Sequence, residues 1–109
     1  EETTVVLYKN IIKNNNFGSA VKDNSFAFFF ENSFENNNVA VSAYIKKIIY
    51  PKGGFTYFYK NKYKNNKEEY NEDQNSKKME LESDLGVMNY INIEELFNEL
   101  NKFIKENDK

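Results

Sequence analysis

Apolar and polar positions alternate in short bursts as far as Lys60, and the pattern then changes twice. Residues 3–12 carry Val5, Val6, Leu7, Tyr8, Ile11 and Ile12 at spacings that fit neither a strand nor a helix. The β-branched start predicts an extended arm within residues 1–16. After Gly18 come two β-prone runs, 19–22 and 25–31, parted by Asp23-Asn24. Two residues that tolerate positive φ between such runs predict a tight hairpin. A second hairpin joins 26–31 to 39–43 across an Asn-rich loop. Runs 44–50 and 55–60 flank the turn Pro51-Lys52-Gly53-Gly54. Extended runs in such close succession predict an antiparallel meander over 17–60.

Residues 61–78 are dominated by Lys, acids, Asn and Gln, with Tyr63 and Tyr70 as the large rings. A segment with so little to bury does not offset its ordering entropy, so it is expected to be a mobile low-complexity insertion. The pattern then becomes helical: Ile93, Leu96, Phe97, Leu100, Phe103 and Ile104 fall on one stripe of a helix over 92–107. Asn92 is placed as its N-cap, Glu94 and Glu95 suit the positive end of the dipole, and Lys102 and Lys105 suit the other end. One striped helix needs one sheet face. The expected fold is α+β, a single domain over 1–109 with an antiparallel sheet crossed by a C-terminal helix.

The inventory of reactive side chains narrows the function. The 109 residues include no Cys, no His and no Arg, and 15 Lys stand against 17 acids for a net charge of −2. This removes thiol and imidazole nucleophiles, Cys and His metal sites, and guanidinium forks for phosphate. The slightly acidic balance argues against nucleic acid, and no apolar run is long enough to span a membrane. The chain opens on Glu1-Glu2 with no signal peptide and reads as an excised domain. The Asn runs and the use of Lys to the exclusion of Arg read as the imprint of an AT-rich genome. Asp23, Glu31 and Glu35 lie close in sequence but have no partner for acid–base or phosphate chemistry, so surface solvation is the better reading. Gly53-Gly54 lacks the Lys-Ser/Thr of a phosphate loop. No catalytic residue, cofactor or metal is expected.

Alternation puts Phe26, Phe28 and Phe30 on one face of their strand and Phe29 on the other; Tyr57 and Phe58 divide in the same way. One helix covers one face. Phe29 and Phe58, with Thr56 beside them, are therefore left either to the N-terminal arm or to a partner, since exposed rings mark interfaces. A double Phe29→Glu, Phe58→Glu change is expected to abolish association in a folded protein if the second holds.

The stretch from Gly18 to Asn32 resembles the opening of a polo box. Gly18 matches the glycine that begins the first strand, Asp23-Asn24-Ser25 the turn, Phe30 the terminal phenylalanine and Glu31-Asn32 the acidic–amide pair. The later runs and the terminal helix follow in the family's order. The resemblance implies a six-stranded antiparallel sheet crossed by the helix. It also implies a non-catalytic protein-binding module of a polo-like kinase or a centriole or kinetochore protein, cytoplasmic and centrosome- or spindle-associated. The single divergent C-terminal box of the centriole-duplicating kinase is the nearer comparison, with a scaffold-protein segment or a second copy as partner. Tyr8 stands where phosphopeptide-binding boxes carry Trp, and the His of their pincer is missing, so phosphopeptide binding is not implied. The partner-binding residues expected are Phe29, Phe58, Tyr8 and Thr56. The alternative is a free-standing immunity or inhibitor protein.

Overall fold

The order of elements repeats. In the computed structural model, which describes residues 3–90 and 92–107, strands β1 (Thr4–Tyr8), β2 (Ile11–Lys13) and β3 (Phe17–Lys22) form one rung. Strands β4 (Ser25–Phe30), β5 (Ser33–Glu35) and β6 (Val39–Tyr44) form the second, and β7 (Gly54–Tyr59), β8 (Lys62–Lys64) and β9 (Glu68–Glu72) the third. β10 (Lys77–Glu80) begins a fourth. Corresponding strands stack as three parallel sheets: β1-β4-β7-β10, β2-β5-β8 and β3-β6-β9. This is a parallel β-solenoid with three faces.

The antiparallel meander is thus corrected. Asp23-Asn24 has the positive φ expected of it, at 52° and 59°, but it turns a corner of the rung and does not close a hairpin. β3 and β4 lie in different sheets, as do β4 and β6. The arm expected over residues 1–16 is β1 and β2 of rung 1. The segment 61–78 carries β8, β9 and the start of β10 in parallel register with the rungs before it. Its backbone pairs with neighbours already in place, so it orders with little apolar content of its own.

A repeated corner holds the rungs in register. Asn10-Ile-Ile-Lys-Asn-Asn15, Asn32-Ser-Phe-Glu-Asn-Asn37 and Asn61-Lys-Tyr-Lys-Asn-Asn66 are one motif met three times. Lys9, Glu31 and Lys60 precede it, and Asn14, Asn36 and Asn65 lie inside it, all with φ between 51° and 62°. Asn32 Nδ2 donates to Leu7 O of the preceding rung (2.8 Å), and Asn61 Nδ2 donates to Phe29 O (2.9 Å). Asn32 N donates in turn to Asn61 Oδ1 (2.8 Å). A second ladder runs through Asn37 and Asn66, whose Nδ2 atoms reach Ile12 O and Phe34 O. Asn32 and Asn37 are buried and fully bonded, so their amides specify the register as well as filling the corner.

Two apolar layers result. The lumen holds Phe29, Phe34, Phe58, Ala27, Val41 and Val21, with Leu7, Ile12, Tyr63 and Tyr70 packed against them. Rings stack rung on rung: Phe29 on Phe58 at 5.0 Å and Phe34 on Tyr63 at 5.5 Å between centroids. The outer face of sheet β1-β4-β7-β10 carries Phe28, Phe30, Phe55 and Tyr57, covered by Leu100 and Ile104 of helix α1 (Ile93–Asn107). Phe103 meets Phe28 and Tyr57 edge-on, at 6.2 and 5.8 Å. Because β4 is buried on both faces, its sequence Ser-Phe-Ala-Phe-Phe-Phe is almost continuously apolar. Asn92 caps α1 as expected, its Oδ1 accepting from Glu94 N (2.8 Å) and Glu95 N (3.3 Å).

Truncating Asn37 to Ala should strand donors and acceptors on both neighbouring rungs, at about 1–3 kcal/mol for each buried group left unpaired. Asn14→Gly, at an exposed position whose positive φ glycine adopts without strain, should cost far less; urea unfolding of the two variants measures the difference. Leu100→Ala should cost about 2–5 kcal/mol through lost transfer energy and a cavity under the helix. Replacing residues 62–75 by a Gly/Ser linker, harmless if the segment were an insertion, should abolish cooperative unfolding by uncovering Phe34 and Phe58.

Candidate functional site: the loop between β6 and β7

The rung repeat has one interruption. Thr4 pairs with Phe26 and Phe55 with Lys77, a sequence offset of 22 in each case, but Phe26 pairs with Phe55, an offset of 29. The seven extra residues leave the solenoid at its third corner, between β6 and β7, where rung 1 makes do with Asp23-Asn24. The strand expected over 44–50 is therefore corrected: β6 ends at Tyr44, and residues 45–53 form a loop. In a repeat fold, insertions gather on one face and often mark the binding face.

Side chains from both neighbouring rungs hold this loop. The buried Asp23 carboxylate of rung 1 accepts from Lys46 N (2.7 Å) and Lys47 N (3.1 Å) through Oδ1. Asp73 of rung 3 accepts from Ile45 N (2.8 Å) and from the Ser76 hydroxyl (2.8 Å). Asn24 N donates to the carbonyls of Lys52 and Gly53, while its Oδ1 accepts from Lys52 N. Gly54 resumes the rung where a side chain would collide with the Val21 carbonyl. Both feet of the loop are fixed, and its tip projects Ile48 and Ile49, which are 94% and 80% exposed. Around them stand Lys46, Lys47, Tyr50 and Lys52, with no acid between residues 45 and 53. A cleft of about 470 Å³ adjoins the loop, lined by Thr4, Phe26, Pro51, Lys52, Phe55 and Asn101. Lys52 Nζ lies 5.5 Å from the centre of the Phe55 ring.

Burial pushes the Asp23 carboxyl up, but the backbone N–H donors of Lys46 and Lys47 together with nearby positive charge, Lys22 included, hold its pKa below the usual value. Asp73 behaves in the same way, with burial opposed by Ile45 N, the Ser76 hydroxyl and Asn75 N. Burial raises the pKa of Tyr63 and Tyr70. The Tyr70 hydroxyl remains a neutral donor to Glu72 Oε1 (2.9 Å).

The residues singled out from sequence are mostly structural. Phe29 and Phe58 come together as expected, but they are buried inside the lumen rather than on an outer face. Thr56 is buried there too, its Oγ1 3.2 Å from both the Tyr70 hydroxyl and the Lys77 carbonyl. Tyr8 lies apart from these three, packed against the outer layer beneath the helix, with Lys9 Nζ 5.3 Å over its ring. Gly18 lies where a Cβ would come 2.5 Å from the Ala40 carbonyl oxygen, Phe30 packs in the outer layer, and Asn32 is a ladder residue. Asp23, Glu31 and Glu35 do not converge: Asp23 anchors the loop, Glu31 turns a corner, and Glu35 accepts from the Ser33 hydroxyl (2.9 Å). The described residues hold no group of three or more potential metal ligands of the Asp/Glu type. Sequence reasoning misses the loop because its residues read as a β-prone run; the signal that marks it is the excess of seven over the repeat.

Comparison of the chain with protein-family models, with curated proteins and with solved structures gives no match, which neither supports nor excludes the polo-box resemblance.

Because both anchoring carboxyls titrate lower in the folded protein, their stabilisation is fully present above the unfolded pKa of about 3.9 and is lost as pH falls through the folded value. Wild type should therefore lose stability progressively as pH falls below the unfolded carboxylate value of about 3.9. Asp23→Asn should flatten that loss while being less stable at pH 7. Urea midpoints across the range, with Lys46 and Lys47 amide exchange as the local readout, check both.

Proposed function

We propose that the chain is a non-catalytic protein-binding module that presents the 45–53 loop to an acidic, partly apolar surface of a partner protein. The observation that carries this is the exposure of Ile48 and Ile49 on a loop whose feet are fixed by Asp23, Asn24 and Asp73. Two large aliphatic side chains at a free tip cost solubility in the isolated protein and gain by burial, on the order of 1.5–3 kcal/mol each. Fixed feet reduce the entropy lost on docking, which favours a partner of defined shape. The surrounding lysines supply a positive rim that steers an acidic partner and sets its orientation.

This reading keeps the interaction module expected from the sequence and moves its contact surface from Phe29 and Phe58 to the loop. The centriolar or kinetochore setting is left aside, since the antiparallel fold that the resemblance implied is not the fold of this chain.

A double Ile48→Ser, Ile49→Ser variant should keep the wild-type circular dichroism and melting temperature, because neither side chain is packed. Cross-linking from the loop in extracts, followed by direct titration of the protein captured, should show binding weakened at least tenfold in the variant. Binding that survives the double substitution contradicts the proposal. So does loop-dependent binding to anionic vesicles with no protein partner, which would make the loop a membrane contact.

A further inference from the structure

The cleft beside the 45–53 loop is a groove with an aromatic floor. Phe26 of β4 and Phe55 of β7 are register partners on the outer face of their sheet. Their rings stack with 5.0 Å between centroids and 20° between planes. Rings stacked along the solenoid axis turn their edges outward, and ring edges carry the positive end of the quadrupole. Phe26 is half-buried and supplies the accessible part of the floor, while Phe55 is buried next to it. Asn101 borders the groove from the helix, and Pro51 and Lys52 border it from the loop.

Both borders are fixed. Leu100 and Ile104 flank Asn101 in the helix and are buried against the sheet. Lys52 N donates to Asn24 Oδ1, and Lys52 O accepts from Asn24 N, each at 3.1 Å. The ring of Pro51 stiffens the chain just before it. The charge around the groove has one sign. No acid is among the residues that line it, and Lys52 Nζ lies 5.5 Å from the centre of the Phe55 ring. The outer row continues from Phe55 to Lys77 of β10, and Lys105 lies one helical turn beyond Asn101 on the same side of α1. At about 470 Å³ the groove falls within the size range of ligand pockets.

We propose that this groove receives one aromatic side chain of the partner protein, carried on a segment with an acidic residue on each side of it. The inference rests on the reading of the 45–53 loop as a protein-binding surface, with which the groove shares Pro51 and Lys52. The face of the incoming ring meets the positive edge of Phe26, the edge-to-face arrangement that aromatic pairs favour. The flanking carboxylates meet Lys52 on the loop side and Lys77 and Lys105 on the other. An aliphatic side chain gains burial there but not the edge-to-face contact, and a basic segment is repelled by the lysines. A groove with both borders already fixed loses little freedom on binding.

Nuclear magnetic resonance titration of the whole chain with the peptide acetyl-Glu-Phe-Glu-amide tests the groove without the partner. Amide shifts at Lys52, Phe55 and Asn101 should saturate in the millimolar range, and acetyl-Gln-Phe-Gln-amide and acetyl-Glu-Ala-Glu-amide should each bind about tenfold more weakly. Asn101 is exposed on the helix, so Asn101→Glu and Asn101→Lys should both keep the wild-type circular dichroism. The first should weaken binding of the acidic peptide and the second should strengthen it, opposite shifts that a merely structural role would not produce. The proposal is overturned by the absence of saturable shifts at the groove, by equal binding of either control peptide, or by folded Asn101 variants that do not respond with opposite sign. The double Ile48→Ser, Ile49→Ser variant should leave peptide binding unchanged, which separates the two readings. A peptide that fails to bind while protein capture still depends on the loop overturns the groove alone; peptide binding alongside capture that survives the double substitution supports the groove and overturns the loop.

Discussion

Every layer of this molecule depends on one rung lying in parallel register on the next. Backbone hydrogen bonds along the solenoid axis supply the cohesion, and the stacked amides of Asn10, Asn32 and Asn61, and of Asn15, Asn37 and Asn66, select the register. A slip of one residue would turn the lumen set outward and detach each Asn from its carbonyl at the same time. Opposite charges follow the same stacking: Lys13, Glu35 and Lys64 are register neighbours, so the sign alternates from rung to rung.

This constraint explains why polar segments are ordered. Rung 3 contributes few aliphatic side chains, yet Tyr63 stacks on Phe34 of the rung before, and Tyr70 meets Phe58 of its own rung edge-on to close the lumen. Stability in such a stack is shared between neighbours, so a rung need not be able to fold alone. The helix solves a separate problem. The sheet containing β4 and β7 has aromatic residues on both faces, and α1 covers the outer one as the lumen covers the inner. The 45–53 loop can leave the stack without disturbing it because Asp23 and Asp73 replace, at its feet, the contacts that a short corner would make.

Local features are legible in the sequence where they depend on near neighbours. The stripe from Ile93 to Ile104 and the Asn92 cap specify α1; Asp23-Asn24 marks a positive-φ corner; and alternation separates Phe28, Phe30 and Tyr57 from Phe29 and Phe58. Strand partnership is not legible by the same means. Alternation has the same period in parallel and antiparallel sheets, and Asp23-Asn24 serves a solenoid corner as well as a hairpin. The decisive signal is the threefold motif of Asn, any residue, apolar, charged, Asn, Asn, which composition alone passes off as genomic bias. Segment 61–78 misleads for a related reason: its order comes from strands β5 and β6, laid down a full rung earlier in the chain, not from its own apolar content. The expected contact site fails with the topology, since Phe29 and Phe58 face a lumen that a flat sheet does not possess.

The claim that the strands of segment 61–78 stack in parallel register on those of the rung before is the one on which the lumen, the ladders and the loop all rest. Interstrand nuclear Overhauser contacts in the folded chain test it most directly. They should connect Ser33 with Lys62, Glu35 with Lys64 and Val41 with Tyr70, in the amide-to-Hα pattern of parallel strands. Close Hα–Hα contacts of an antiparallel hairpin between residues 26–31 and 39–43, with no contact from 61–78 to β5 or β6, would contradict it.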